Sequence, residues 1–193
     1  MNRILPLFAL LALSACTTTT TDRGPQADAF FANLQSLCGK AYEGRLVSSD
    51  AQDQDMAGER LVMHVRECSA DTVRIPFHVG ADRSRTWVIT RTDGGLRLKH
   101  DHRHEDGSED DLTQYGGDAS GGTAVRQTFP TDDFTRKLFR HAGITASLDN
   151  VWAVEADPGR AFAYELRRPN RFFRVEFDLA KPVAPPPAPW GSE

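Results

Sequence analysis

The sequence lacks the surplus of basic residues that a general nucleic-acid binder carries. Its 193 residues include 23 lysines and arginines against 27 aspartates and glutamates, a formal charge of −4, whereas binding to phosphates needs an excess of positive charge. It also lacks a Gly-x-Ser-x-Gly elbow, a glycine-rich phosphate loop and a His-Glu-x-x-His motif, which mark common hydrolases, nucleotide-binding proteins and metalloproteases. We therefore predict no nucleic-acid partner, and no local motif indicates a class of enzyme.

Long apolar runs are absent apart from residues 4–13, which are too few to span a bilayer as a permanent helix. The basic residue Arg3 precedes this run, and Leu13-Ser14-Ala15-Cys16 follows it. This N-terminus resembles the signal peptide and lipobox of bacterial lipoproteins.

The lipoprotein resemblance implies cleavage before Cys16, a lipid thioether on its sulfur and acylation of the new amino terminus, which together would anchor the protein in membrane lipid. Thr17 stands where an aspartate would imply retention at the inner membrane, so the resemblance implies an outer-membrane anchor that faces the periplasm. The alternative is an ordinary cleaved secretory signal in which Cys16 has no special role.

Cysteine is scarce, with three in the chain. Lipidation of Cys16 would leave Cys38 and Cys68, and a lone pair in an oxidising compartment predicts a disulfide. Closing a loop of about 30 residues stabilises a protein by roughly 3–4 kcal/mol in the chain-entropy model. Two buried free thiols are the alternative.

The length fits one globular domain with appendages. We predict a signal peptide at 1–15, a lipidated cysteine and threonine-rich tether at 16–25, a single domain at 26–179, and an extended proline-rich tail at 180–193 in which Trp190 folds back on the domain. Segments 50–58 and 116–122 are predicted to be exposed loops.

The domain is predicted to be mainly β. Apolar spacing predicts a short helix at 26–37 that Gly39 ends, and one helix near 132–142 with Thr131 as its N-cap. Alternation of apolar and polar residues predicts about ten short strands, at 41–48, 60–68, 72–79, 85–91, 96–104, 111–115, 123–129, 151–155, 162–167 and 172–179. Tight turns between them favour an antiparallel meander that closes into a barrel. The alternative is an α+β fold with an open antiparallel sheet.

The start of the domain resembles the calycin plan of lipocalins and fatty-acid-binding proteins. Gly39, Tyr42 and Gly44 follow a short helix and open the first strand, and Arg171 or Arg174 lies in the last strand. Calycins have a tryptophan near the first glycine, packed under a late arginine, and Tyr42 stands in its place. The resemblance implies a calycin-like barrel but no particular ligand. The domain is also similar to a class of secreted bacterial proteins for which the resemblance implies no activity.

Histidines concentrate in one predicted strand. His100, His102 and His104, three of the six in the chain, fall on one face because successive side chains of a strand alternate. The pair Asp106-Gly107 predicts a two-residue type I′ turn after this strand.

This turn would place His104 opposite Glu109 and His102 opposite Asp111. Imidazoles two residues apart on a strand lie about 6.5–7 Å apart, which two nitrogens can close onto one ion. The pattern therefore predicts a divalent transition-metal site of His102 and His104 with Asp111 or Glu109, suited to zinc, copper, nickel or manganese. The alternative is a solvated hairpin that binds nothing.

A second reading places the same histidines at the mouth of the barrel. If the face points inward, His100, His102 and His104, with Tyr115, line a polar rim over an apolar interior. We therefore predict an envelope protein whose non-catalytic β-barrel binds a partner or a small apolar or amphipathic ligand. The alternatives are a divalent-metal-binding envelope protein and a hydrolase with a histidine base, for which His102 and Asp111 would supply two members of a triad.

Overall fold

A computed structural model describes residues 24–192 of the protein. The predicted signal peptide, Cys16 and most of the tether lie outside the described residues. Within residues 24–192, none of the helices has the length and apolar character needed to cross a membrane. The helices are α1 (Pro25–Gln35), α2 (Gln54–Ala57) and α3 (Asp133–His141). The strands are β1 (Ala41–Leu46), β2 (Leu61–His64), β3 (Glu67–Cys68), β4 (Thr72–Val79), β5 (Asp82–Thr92), β6 (Gly95–His102), β7 (Tyr115–Asp118), β8 (Gly121–Thr123), β9 (Arg126–Pro130), β10 (Val151–Asp157), β11 (Ala161–Arg168) and β12 (Arg171–Val183).

All of these strands belong to one antiparallel sheet, which confirms the mainly β prediction. The order is β7-β6-β5-β4-β2-β1-β12-β11-β10-β9-β8, with β3 paired to β4. Two meanders therefore meet where the first and last strands pair, with Gly44 opposite Phe177. The sheet curls into a half-barrel, and its path ends at β7 and β8, which are neighbours in the chain.

Most predicted strands match observed ones, but the region after β6 differs. Residues 111–114 form no strand, because Gln114 has a left-handed φ of 57° and its N–H donates to the His100 carbonyl at 2.6 Å. The segment 116–122, predicted to be a loop, contains most of β7 and part of β8. Gly116 allows this pairing, since a Cβ there would strike the backbone oxygen of Leu98.

Helix α1 closes one end of the half-barrel. Phe30, Phe31 and Leu34 are completely buried in the core, and the Asn33 side chain donates to the Ala124 carbonyl at 2.8 Å. Because burial of such side chains is the main favourable term in folding, the helix acts as the plug of this end.

Cys38 and Cys68 form a disulfide across a sequence separation of 30, as predicted. The bond joins the turn after α1 to β3, so it ties the helical plug to the sheet.

Helix α3 holds the seam between the two ends of the sheet. It confirms the helix predicted near 132–142, but its N-cap is Asp132, whose side chain accepts the Thr135 N–H at 2.8 Å. Thr131 instead donates to the Leu148 carbonyl at 2.7 Å. The Thr135 hydroxyl accepts the Gly116 N–H at 2.7 Å and donates to the Gly116 carbonyl at 2.8 Å, as a neighbouring strand would.

Replacing this hydroxyl by a methyl group is expected to weaken the seam. Thr135→Val keeps the volume but leaves the Gly116 N–H unpaired in a buried site and removes one of the two donors of the Gly116 carbonyl, which keeps the Asp132 N–H at 3.0 Å. This should lower the free energy of unfolding by about 1–3 kcal/mol. Thr135→Ser keeps the hydroxyl and is the matched control. Urea unfolding of the two variants measures the difference, and equal midpoints would contradict this role of Thr135.

Two further segments differ from prediction. Strand β12 continues to Val183, so the tail begins later than residue 180. The tail does fold back, since the backbone N–H of Trp190 donates to the Arg83 carbonyl at 3.2 Å. The segment 50–58 is not simply an exposed loop, because it contains α2 and buries Asp53, which is 5% exposed.

Candidate functional site

A cavity opens at the end of the half-barrel opposite α1. Strand β6 shows the direction, since it starts at Gly95 beside α1 and ends at His102 in the cavity wall. The cavity has two adjoining parts, of about 150 Å³ and about 300 Å³. We call it the mouth cavity, and both parts share His102, Tyr115, Tyr164 and Leu166 in their lining.

The predicted ligand-binding residues are divided by the structure. His100, His102 and Tyr115 line the mouth cavity, as the inward alternation of β6 predicts. His104 does not, because β6 ends at His102 and His104 lies exposed in the following turn.

The predicted register of the hairpin is wrong. Arg103, not His104, lies opposite Glu109, and His100 pairs with Tyr115. A type I′ turn needs positive φ at both central residues, whereas Gly107 has φ 85° and Asp106 does not share this conformation. The turn closes instead from the Gly107 N–H to the His104 carbonyl at 2.9 Å.

The shifted register separates the predicted metal ligands. Glu109 accepts from Arg103 at 3.2 Å, and Glu109, Asp111 and His104 are exposed. The His102 ring is half-buried beside Tyr115, whose hydroxyl lies 3.2 Å from its Nε2. Across residues 24–192 there is no group of three histidine, cysteine, aspartate or glutamate side chains that could hold a metal ion.

His100 has a defined tautomer in the cavity wall. Its Nδ1 lies 3.0 Å from the Tyr115 carbonyl oxygen, which can only accept, so Nδ1 carries the proton. Its Nε2 therefore accepts from the Tyr164 hydroxyl at 2.7 Å. Burial lowers the pKa of His100 to about 3, so the ring is neutral at pH 7.

The second imidazole and the two phenols of the cavity are neutral as well. Burial, with a smaller contribution from the Arg85 charge, lowers the pKa of His102 to about 4. Burial raises the pKa of both Tyr115 and Tyr164. Because imidazoles and phenols in these states carry no charge, the mouth cavity can exchange hydrogen bonds but attracts no ion through these groups.

The hydrolase alternative receives no geometric support. It pairs His102 with Asp111, but Asp111 is exposed and its neighbour Asp110 lines the cavity instead. The His100 Nε2, the other candidate base, already accepts from Tyr164. A triad needs a base that is oriented by one partner and open to a nucleophile on its other side.

The sequence does not predict several residues of the site. Trp87, Trp152 and Phe173 line the cavity, and alternation places each on an inward face without indicating which of them meet. Asp53 lies under Arg171, whose guanidinium donates to both of its oxygens at 2.5 and 2.6 Å. Nothing local in the sequence pairs residues so far apart.

The residues of the calycin resemblance lie in the following places. Tyr42 is buried in the core, and Gly39 has a φ of 80° in the turn after α1. Gly44 lies against the Phe177 ring, which a Cβ would meet at 2.5 Å. Arg171 binds Asp53, and Arg174 binds carboxylates on the outer face of the sheet.

No protein-family model, curated protein or solved structure matches this chain. The calycin and lipoprotein resemblances therefore stay predictions. The geometry of the mouth cavity is the basis of the function proposed below.

Proposed function

We propose that the domain is a non-catalytic binding module that takes one small, uncharged, apolar or amphipathic molecule into the mouth cavity. The observation that supports this most directly is a concave site with aromatic walls and a few neutral polar groups, which is the usual composition of small-molecule sites.

The walls of the cavity are flat rings. Trp87 stacks on Tyr164 with ring centroids 4.5 Å apart, and His100 stacks on Tyr115 at the same distance. Flat rings of this kind offer a large apolar contact area, and their polar atoms give hydrogen bonds at defined points. This arrangement suits an amphipathic ligand.

Both arginines of the cavity lining are paired, and the Asp110 carboxylate, which is in no ion pair among the described residues, accepts the Leu112 N–H at 2.8 Å. Arg85 binds Asp82 at 2.5 Å, and Arg171 binds Asp53. A charged ligand would have to compete with these pairs and lose its own hydration. The lining therefore favours an uncharged molecule.

The segment that carries α2 covers part of the cavity. Met56 and Asp53 of this segment contribute to the lining. Arg171 also donates to Asp50 at 2.8 Å, and Asp50 accepts the Phe172 N–H at 2.9 Å. Because two carboxylates fix the segment to β12, the size of the ligand is limited to a small molecule.

The proposed location is the periplasmic side of the bacterial outer membrane, with membrane lipid as a partner through acylated Cys16. The lipobox resemblance supports the anchor. The Cys38–Cys68 disulfide supports an oxidising compartment.

Filling the cavity should remove the ligand. Leu166 is half-buried and lines both parts of the cavity, so Leu166→Trp places an indole in the binding space. Arg167→Trp is the matched control, because its side chain is next in the strand, points to the opposite face and is exposed.

Native mass spectrometry of the full-length protein from its own cell envelope measures the outcome. We expect one bound small molecule per chain in the wild type and in Arg167→Trp, and none in Leu166→Trp. A wild-type protein without ligand, or the same ligand on Leu166→Trp, would contradict the proposed function.

A further inference from the structure

The C-terminal tail forms a second cavity on the outside of the sheet. Beyond β12 it crosses the outer face of β2, β4 and β5, where Arg66 donates to the Ser192 carbonyl at 3.0 Å and Arg83 donates to the Ala188 carbonyl at 2.8 Å. The space beneath it has a volume of about 390 Å³. We call this space the tail cleft, and its lining includes Arg60, Val62, His78, Arg83, Glu105 and Trp190.

The tail cleft contains buried nitrogens without partners. Among the described residues, three buried side-chain polar atoms lack a hydrogen bond: Arg66 Nη1, His78 Nε2 and Trp190 Nε1. Two of them, on His78 and Trp190, belong to the lining of the cleft. His78 is only 3% exposed, and buried polar groups are normally hydrogen-bonded. Two unpaired polar atoms in the lining of one cavity mark the cleft as a candidate binding site.

Arg83 adds a charge that is also unpaired. Its guanidinium donates to the Ala188 carbonyl, and within residues 24–192 it forms no ion pair with a carboxylate. An indole N–H and a guanidinium can only donate hydrogen bonds. The cleft therefore presents donors in excess and calls for acceptor oxygens that carry negative charge.

The remaining lining limits the kind of anion. Val62, Pro186, Pro187 and the Trp190 ring give apolar walls, which a bare inorganic ion would not use. Glu105 also lines the cleft, and Arg60 is paired with Glu43 at 2.8 Å, so Arg83 is the cation of the lining that no described carboxylate engages. After β12, hydrogen bonds rather than strand pairing hold the tail on the sheet, and a ligand reaches the covered nitrogens only when the Trp190 ring shifts.

We propose that the tail cleft binds a small organic carboxylate, with Arg83 as its charge partner and the Trp190 indole N–H as a hydrogen-bond donor. His78 supplies its Nε2 as a further polar contact. The apolar body of the ligand packs between Val62 and the prolines of the tail. This site is separate from the mouth cavity and does not depend on the function proposed for it.

The indole N–H resonance of Trp190 reports on this site. The chain has three tryptophans, so a ¹⁵N-labelled full-length protein gives few indole signals, and Trp190→Phe assigns the relevant one. Benzoate is the probe, benzyl alcohol its uncharged analogue, and inorganic phosphate the anion without an apolar body. We expect benzoate to shift the Trp190 signal with half-saturation at about 1 mM or below.

Variants identify the charge partner. Arg83→Gln should raise the half-saturation concentration at least about tenfold, the effect of losing one charge-assisted contact. Arg136→Gln is the matched control, since Arg136 also donates to a single backbone carbonyl and is half-buried, but on α3.

The proposal is overturned by any of four results. These are the absence of a saturable shift with benzoate, an equal response to benzyl alcohol, an equal half-saturation with phosphate, and wild-type affinity in Arg83→Gln. The unliganded position of the Trp190 signal in each variant shows that the tail is still docked. Loss of the mouth-cavity ligand in native mass spectrometry would leave these outcomes unchanged.

Discussion

Moving the protein from pH 7 to pH 5 should lower its free energy of unfolding by about 5–6 kcal/mol, because three histidines stay neutral in the fold. Burial lowers the pKa of His78 to about 4, of His100 to about 3 and of His102 to about 4. In the unfolded chain each would titrate near 6.5. As the pH falls below that value, the unfolded state binds protons that the folded state cannot, so stability is lost.

The window of this loss follows from the pKa values. It begins near pH 6.5 and continues to about pH 4, where the folded protein starts to take up the same protons. Each histidine contributes about 1.4 kcal/mol per pH unit inside the window. Since ordinary domains are stable by roughly 5–15 kcal/mol, this loss is a large fraction of the total stability.

Urea unfolding at the two pH values measures the effect, and single variants apportion it. His78→Asn should remove about a third of the loss, because His78 is one of three such groups and lies outside the mouth cavity. His104→Gln is the control, since its side chain is exposed in the folded protein. A urea midpoint that is the same at pH 7 and pH 5 would show that these rings are accessible to protons in the fold.

The histidine face shows what the sequence could and could not predict about the site. Period-two alternation placed His100 and His102 on the inward face of β6, and this depends only on the geometry of one strand. The partners of these rings depend on register across the hairpin. The dipeptide Asp106-Gly107 favours a type I′ turn, but the observed turn has positive φ at Gly107 only and closes onto the His104 carbonyl. This different turn sets the observed register.

The same contrast holds for the fold. Strand β4 was predicted at its observed limits because its apolar residues alternate cleanly. The sequence pattern predicts a loop at 116–122, where most of β7 and β8 lies, because glycines 116, 117, 121 and 122 have little intrinsic preference for strands. Their strand conformation comes from pairing with β6 and β9, which a local pattern does not contain.

The sequence does not predict the long-range ion pairs. The segment 50–58 is acidic and polar, which is typical of exposed loops. Arg171 nevertheless buries Asp53 through two hydrogen bonds over a sequence separation of 118. Only the assembled sheet brings such groups together, so the cover of the mouth cavity could not be predicted.

Arg174→Gln should lower the free energy of unfolding by about 3 kcal/mol, because it leaves a buried carboxylate with too few partners. Arg174 binds Glu155, Glu165 and Glu176 on the outer face of the sheet. Glu165, directly opposite it on β11, has a side chain that is only 5% exposed. Arg126 also reaches Glu165 at 2.7 Å, which keeps the expected loss at the lower end of the range for buried pairs.

Arg45→Gln is the matched control for this substitution. Arg45 binds Glu176, a partner it shares with Arg174, at 3.2 Å, but its side chain is 76% exposed. An exposed pair contributes about 0–1 kcal/mol, so the control should unfold almost as the wild type does. Equal free energies of unfolding for the two variants would show that the network around Glu165 stabilises the fold no more than an exposed ion pair does.

The pH dependence separates this network from the histidines. Hydrogen bonds from Arg174 lower the pKa of Glu155. Burial alone would raise the pKa of Glu165, but Arg126 and Arg174 outweigh it and hold that pKa below its ordinary value. Carboxylates with lowered pKa contribute stability that is present above about pH 4.3 and is lost only as the pH falls through their folded pKa. The difference between Arg174→Gln and the wild type should therefore stay constant from pH 7 to pH 5, while both proteins lose stability together through their histidines.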